Sequence, residues 1–351
     1  MRAALWITMG AWLFTAGCSD QDREQTPATQ PAQKLNVVAT IFPIASVVEA
    51  IAGPDVQVYT LLTGAQSPHE FTLRPAQAEV LGRSAVLFMV GLGADAWAGK
   101  AADSAGGRHL RVVKLGEEPD FLAAAGLAAG APAAEHHHEY EEDGAAKPVH
   151  NQPHEHDPLV SQAVSAEQEH LAEQPEHRHE GPIDPHVWLD PVFMQHFARR
   201  IAQELGQADP SHAQDFQRRA QEFIAQLQEL DGQYRRRLAD LSSRYIVTYH
   251  SAFGYLARRY GLEPISVYGI QGAGLGSSRI ESVTDFIRRH NVKVLFTEPQ
   301  YPPEKLQDLA RRMGLRLAAL DDLGSPDRPG YTSYLEMMRT NLDTLERNLK
   351  D

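Results

Sequence analysis

The chain has 351 residues, a formal net charge of −13 and one cysteine, Cys18. The acidic balance argues against nucleic acid as a partner, because binding a nucleic acid requires a basic surface. The single cysteine excludes a disulfide within the chain, and any interior metal site must be built from imidazole and carboxylate groups.

The N-terminus has the pattern of a secretory leader over residues 1–17, with a basic Arg2 followed by an apolar run over residues 3–14. This run is shorter than the roughly 20 residues that a membrane-spanning helix needs. Residues 15–18 are similar to a bacterial lipobox, so we expect Cys18 to be lipidated; ordinary cleavage near Gly17 is the alternative. Residues 18–34 are polar and predict a flexible tether.

Short apolar strands then alternate with helices. The predicted strands are Leu35–Ile41, Val56–Leu62, Ala85–Val90 and Leu110–Lys114, and the predicted helices are Ala45–Ala52 and Arg74–Gly82. Buried strands that alternate with helices indicate a parallel sheet covered on both faces. We therefore predict an N-terminal α/β lobe over residues 35–208.

A histidine-rich tract at residues 132–182 interrupts this lobe. Its histidines stand among acids and prolines, and its few large apolar residues predict a disordered loop rather than a core. Imidazole and carboxylate groups suit zinc first, and nickel or copper next. A passive linker is the alternative. We expect auxiliary, low-affinity metal contacts at His136, His137, His138, His150, His154, His156, His177 and His179.

Two helices follow the tract, the first over Val192–Leu205. Asp209 and Pro210 then provide an N-cap and a proline at the first helical position. Apolar residues at helical spacing extend the second helix over residues 209–241, and about 30 residues span about 45 Å. We interpret it as a rigid helix joining two lobes; a coiled-coil dimer is the alternative.

The alternation of strands and helices then resumes over residues 242–351. The predicted strands are Tyr245–Tyr249, Pro264–Tyr268, Val292–Thr297 and Leu315–Leu320, and the predicted helices are Phe253–Tyr260, Glu281–His290, Pro303–Met313 and Tyr331–Leu349. The predicted fold is therefore α/β, with two doubly wound parallel-sheet lobes joined by one long helix and a binding site in the cleft between them.

Four side chains lie just past predicted strands or in loops, where doubly wound folds place their ligands. They are His69, His186, His250 and Asp321. Two come from each lobe, and three imidazoles with one carboxylate would form a closed, four-coordinate zinc site. Each has another interpretation when taken alone: a histidine is more often a surface or hydrogen-bonded residue, and Asp321 could cap the segment that follows it.

The chain resembles the metal-binding receptors of bacterial ABC importers for zinc and manganese, most closely the zinc branch. The resemblance covers nearly all of the chain after the tether, and DPHVWLDP is its most diagnostic segment. The segments that carry it are VVATIFPIASVVEAIAG, SPHEFTLRPAQ, DPHVWLDP, YIVTYHSAFGYLARRYGL, FTEPQYPP and LDDLG.

The resemblance implies a ligand set. The histidines of the family's first three motifs correspond to His69, His186 and His250. The aspartate of a Leu-Asp-Pro-Leu-Gly motif corresponds to Asp321, and Asp322 replaces the usual proline. That departure leaves a water molecule, Asp322 or Glu70 as alternative fourth ligands. Manganese receptors often carry glutamate where this chain has His250, and imidazole suits zinc whereas manganese prefers oxygen.

The resemblance also implies a function and partners. We expect a monomeric receptor, anchored through Cys18 in the periplasm or cell envelope, that captures Zn(II) and delivers it to an ABC permease and its ATPase. A zinc hydrolase is one alternative, since three protein ligands and a water form a catalytic site. The chain lacks a His-Glu-x-x-His motif, however, and Glu70 is the best candidate base. A surface adhesin is the other alternative.

Overall fold

The computed structural model describes residues 34–64, 66–68, 71–104, 109–127, 184–267 and 277–350. The predicted leader, the tether with Cys18 and the histidine-rich tract with all of its auxiliary histidines lie outside these residues. His69 and Glu70 also lie outside them.

The first sheet is parallel throughout, with the strand order β2-β1-β3-β4. Its strands are β1 (Leu35–Ile41), β2 (Val56–Leu62), β3 (Val86–Met89) and β4 (Arg111–Lys114). The helices of this lobe are α1 (Phe42–Ala52), α2 (Pro75–Gly82), α3 (Ala96–Ser104) and α4 (Pro119–Ala124). Each predicted strand of this lobe is confirmed to within one residue at each end.

Helices α3 and α4 were not predicted from the sequence, and their composition explains why. In α3 the buried residues are only Ala98 and Ala102, and in α4 the only one is Phe121. Two buried alanines, or a single buried phenylalanine, are too few to produce an apolar stripe with the 3.6-residue period.

Two long helices follow, α5 (Pro191–Ala208) and α6 (Ala213–Arg237). The Asp190 carboxylate caps α5 by accepting a hydrogen bond from the Val192 N–H at 2.8 Å. The predicted long helix is confirmed as α6, although a 3-10 turn over Pro210–His212 occupies its expected first turn. None of the helices in the described ranges combines the length and apolar character that a membrane crossing requires.

The second sheet is also parallel and repeats the order of the first, as β6-β5-β7-β8. Its strands are β5 (Tyr245–Thr248), β6 (Glu263–Ser266), β7 (Val294–Thr297) and β8 (Arg316–Ala319). Its helices are α7 (Gly254–Tyr260), α8 (Ser277–Arg289), α9 (Glu304–Met313) and α10 (Tyr334–Leu349). The predicted α/β class with two parallel sheets is confirmed.

One apolar core runs through both lobes. Helix α6 packs against α1 and α5 of the first lobe and against α10 of the second. Its buried side chains belong to the same cluster as Ile41 of β1 and Phe296 of β7. Because the lobes share a core along α6, separating them would expose buried apolar surface, and this opposes a wide hinge motion.

Replacing Leu227 of α6 with alanine should therefore lower the free energy of unfolding by about 2–5 kcal/mol, because the side chain is fully buried and truncation leaves a cavity. Denaturant unfolding measures this loss. Gln228→Ala, at the exposed neighbouring position, is the matched control. Equal, small losses in both variants would contradict the description of α6 as the core between the lobes.

Candidate metal centre

Polar side chains converge where strands of the second sheet end, beside a segment that precedes α5. His250 follows β5 and Asp322 follows β8, at the carboxyl edge of that sheet. His186 comes just before a 3-10 turn over Val187–Leu189. Ligand sites in open parallel sheets form at this edge.

These three residues form a compact group of potential metal ligands. His186, His250 and Asp322 each offer one ligand atom, and the three atoms lie within 4.8 Å of one another. The His250 Nε2 lies 3.9 Å from the Asp322 Oδ2. Ligand atoms of a tetrahedral zinc ion are about 3.4 Å apart. A small inward movement would therefore suffice for binding, and each residue is 1% exposed.

The two oxygens of the Asp322 carboxylate have different surroundings. Its Oδ2 is buried and accepts no hydrogen bond from the part of the chain that the structure describes. Burial raises the pKa of Asp322, while the neighbouring His250 opposes that effect. A buried carboxylate oxygen without a donor is unfavourable, and a metal cation is a partner that would satisfy it.

The His186 ring is fixed by a carboxylate. Its Nδ1 lies 2.8 Å from the Asp184 Oδ1, which also accepts the His186 backbone N–H at 3.0 Å. The Tyr255 hydroxyl donates to the Asp184 carbonyl at 2.9 Å and holds this segment against α7. A proton on Nδ1 leaves the Nε2 lone pair available to a metal, which is the usual arrangement around zinc-binding histidines.

A second carboxylate holds His250 in the same way. The Nδ1 of His250 faces Glu298 Oε2, and the His250 backbone N–H donates to Glu298 Oε1 at 2.9 Å. Burial lowers the pKa of His250 and raises that of Glu298. Burial also lowers the pKa of His186, but its hydrogen bond to Asp184 and the nearby carboxylates outweigh that effect and raise it. Neutral imidazole is the form that binds a metal.

The structure places Asp321 in a different role from the one that the sequence analysis gave it. Its Oδ1 accepts the backbone N–H groups of Leu323 and Gly324, both at 3.0 Å, and its Oδ2 pairs with Arg328. Asn341 holds its backbone with two hydrogen bonds. Because Oδ1 closes this turn and Oδ2 pairs with Arg328, Asp322, an alternative in the sequence analysis, replaces Asp321 as our candidate ligand.

His69 lies outside the described residues, but its neighbours approach the group. The Tyr301 hydroxyl donates to Ser67 Oγ at 3.4 Å, and the Tyr301 ring lies 4.9 Å from the His250 ring. On the other side, the Trp97 indole N–H donates to the Pro68 carbonyl at 3.0 Å. The described residues just before His69 therefore lie beside the other candidate ligands.

Several residues of the site were missed by the sequence analysis, namely Asp184, Glu298, Gln300 and Tyr301. Glu298 was the easiest to find, because it follows β7 directly and polar residues at that edge were already candidates. Asp184 lies only two residues before His186, so their spacing could have shown it. Gln300 and Tyr301 act through contacts with residues far away in the chain, which no local pattern reveals.

Comparison with known proteins supports one family. Residues 37–348 match the family model described as "Zinc-uptake complex component A periplasmic", and the chain belongs to this family of receptors. It is 24% identical over 352 residues to the high-affinity zinc uptake system protein ZnuA of Bacillus subtilis, covering 99% of this chain and 97% of that protein.

The chain is also 27% identical over 316 residues to the zinc-binding protein AdcA of Streptococcus pyogenes serotype M3, covering 89% of this chain. It spans only about half of that relative, 55% of its length. Among solved structures, the periplasmic zinc-binding protein TroA of Treponema pallidum matches with a TM-score of 0.68 and 22% identity, over 91% of this chain and all of that one. This match supports the two-lobe α/β fold.

The different roles of the two adjacent aspartates lead to a paired test. Asp322→Asn should weaken zinc binding and change stability little, because it removes charge from the candidate site. Asp321→Asn should lower the free energy of unfolding by about 2 kcal/mol, since it removes the charge that pairs with Arg328 and that accepts two backbone hydrogen bonds, and should leave zinc affinity nearly unchanged. Chelator competition and denaturant unfolding measure the two effects, and an equal loss of zinc affinity in both variants would contradict the assignment.

Proposed function

We propose that this protein is a high-affinity zinc receptor that captures Zn(II) outside the cytoplasm and delivers it to an ABC-type permease. The observation that carries the proposal is the buried group of His186, His250 and Asp322, with its ligand atoms within 4.8 Å of one another. Membership of a zinc-uptake family supports it, as do relatives whose names describe zinc binding and zinc uptake.

The donor set favours zinc over manganese. Zinc is bound by imidazole nitrogen with carboxylate oxygen in four-coordinate sites, whereas manganese prefers oxygen ligands in octahedral sites. The carboxylates of Asp184 and Glu298 make the two described histidines better zinc ligands, because each orients a ring through Nδ1 and increases the basicity of its Nε2.

We propose that the complete ligand set is His69, His186, His250 and Asp322. The contact of Ser67 supports the inclusion of His69, since it brings the chain next to Tyr301 and hence next to His250, while Trp97 holds the carbonyl of Pro68. The four ligands come from both lobes, so one ion would join the two sheets at the junction that α6 already fixes.

A closed ligand set also argues against the hydrolase alternative. Four protein ligands leave no coordination position for an activated water. Two further described carboxylates beside the group are already engaged, Asp184 with His186 and Glu298 with His250. We therefore propose a receptor without enzymatic activity.

The remaining parts of the proposal concern residues outside the described ranges. The histidines between His136 and His179 would collect zinc at low affinity and pass it to the cleft. Lipidation of Cys18 would hold the receptor at the membrane, within reach of the permease and its ATPase. The family's periplasmic description supports an extracytoplasmic location for the binding step.

His186→Ala should weaken zinc binding by more than about 100-fold, because loss of a ligand should exceed the 10- to 100-fold effect of losing an outer partner. Isothermal titration with a competing chelator measures the affinity. His109→Ala is the matched control, since His109 is an exposed histidine outside the group. Unchanged affinity in His186→Ala would refute the proposed site.

A further inference from the structure

One short loop after β7 contacts two of the proposed ligands. Glu298 holds the His250 ring, and two residues later the Gln300 Nε2 donates to the Asp322 Oδ1. The other oxygen of Asp322, its Oδ2, is the one that lies 3.9 Å from the His250 Nε2. The two oxygens of one carboxylate are therefore divided between a protein amide and the candidate metal position.

We propose that Gln300 is a positioning residue for Asp322 that favours zinc over manganese. By engaging Oδ1, its amide holds that oxygen turned toward Gln300, so that Asp322 presents Oδ2 to the ion. This inference rests on the proposed zinc site and adds a determinant of metal choice to it.

The number of oxygens that a carboxylate supplies affects which metal ion a site prefers. A carboxylate that chelates through both oxygens raises the coordination number, which suits large, oxygen-preferring ions. A carboxylate that binds through one oxygen completes the four-coordinate set that zinc adopts. Chelation by Asp322 would require Oδ1 to turn toward the ion and away from the Gln300 amide, and weakening a charge-assisted hydrogen bond in a buried site is costly.

Both partners of this hydrogen bond are held in place. On the Asp322 side, the Trp188 indole N–H donates to the Asp322 carbonyl at 2.6 Å. On the Gln300 side, the next residue, Tyr301, stacks on Tyr249 with ring centroids 4.5 Å apart. The loop therefore has little freedom to release the carboxylate when an ion with a different preference enters.

The test compares Gln300→Met with the wild type in the full chain. Methionine keeps the length of the side chain and removes the amide donor. Gln307→Met, on α9 and away from the site, is the matched control. Chelator competition gives zinc and manganese affinities, and the visible absorption of the Co(II)-loaded protein reports the coordination number, because four-coordinate cobalt absorbs more strongly than five- or six-coordinate cobalt.

In Gln300→Met we expect zinc affinity to fall about 10- to 100-fold, the usual effect of losing an outer partner of a ligand. Manganese affinity should be retained, so that the preference for zinc falls by at least about tenfold, and the Co(II) bands should weaken. Melting of the metal-free proteins verifies that each variant folds.

A background of Asp322→Ala separates positioning from a general structural role. If Gln300 acts through Asp322, adding Gln300→Met to that background should cause no further loss of zinc affinity. An additional loss of zinc affinity as large as that in the wild-type background would overturn the inference. So would a Gln300→Met single variant with unchanged metal preference and an unchanged Co(II) spectrum.

The receptor assignment and the role of Gln300 can be refuted separately. A wild-type chain without a tight site dependent on His186 would overturn the receptor assignment and this inference together. A tight site that depends on His186 and is unaffected by Gln300→Met would overturn the inference alone.

Discussion

The burial of carboxylates and imidazoles together at the junction of two sheets is the constraint on which this structure depends. Asp322, Glu298, His186 and His250 are all at most 2% exposed. Burying a carboxylate is costly unless charge and hydrogen bonds compensate it, and the Asp322 Oδ2 accepts no hydrogen bond among the described residues. A divalent cation bound here would compensate the carboxylate and bind the Nε2 atoms of both histidines.

The rest of the fold keeps these groups in place. The Tyr334 hydroxyl donates to the Trp188 carbonyl at 2.8 Å, and the Trp188 indole donates to the Asp322 carbonyl, so that α10 and the segments of two candidate ligands are linked by hydrogen bonds. The shared core along α6 makes the relative position of the lobes a property of the folded chain. Binding should therefore require local adjustment of side chains rather than a wide closure.

Much of the fold could be predicted because its signals are local. Buried parallel strands are continuous apolar runs, and Asp209 with Pro210 marks the approach to α6. The site could be predicted only in part. Residues at the ends of strands are easily recognised, and His250 lies in the group as expected. The choice between Asp321 and Asp322 depends instead on Arg328 and Asn341, which engage Asp321 from later in the chain.

X-ray absorption spectroscopy of the zinc-loaded protein, with the histidine-rich tract deleted, tests the central claim most directly. The account predicts one zinc ion with four nitrogen or oxygen neighbours at about 2.0–2.1 Å, and multiple scattering from three imidazoles. Asp322→Ala should remove or replace one oxygen neighbour and leave the imidazole signal intact. A coordination number of five or six in the unsubstituted site, or a signal from fewer than three imidazoles, would contradict the account.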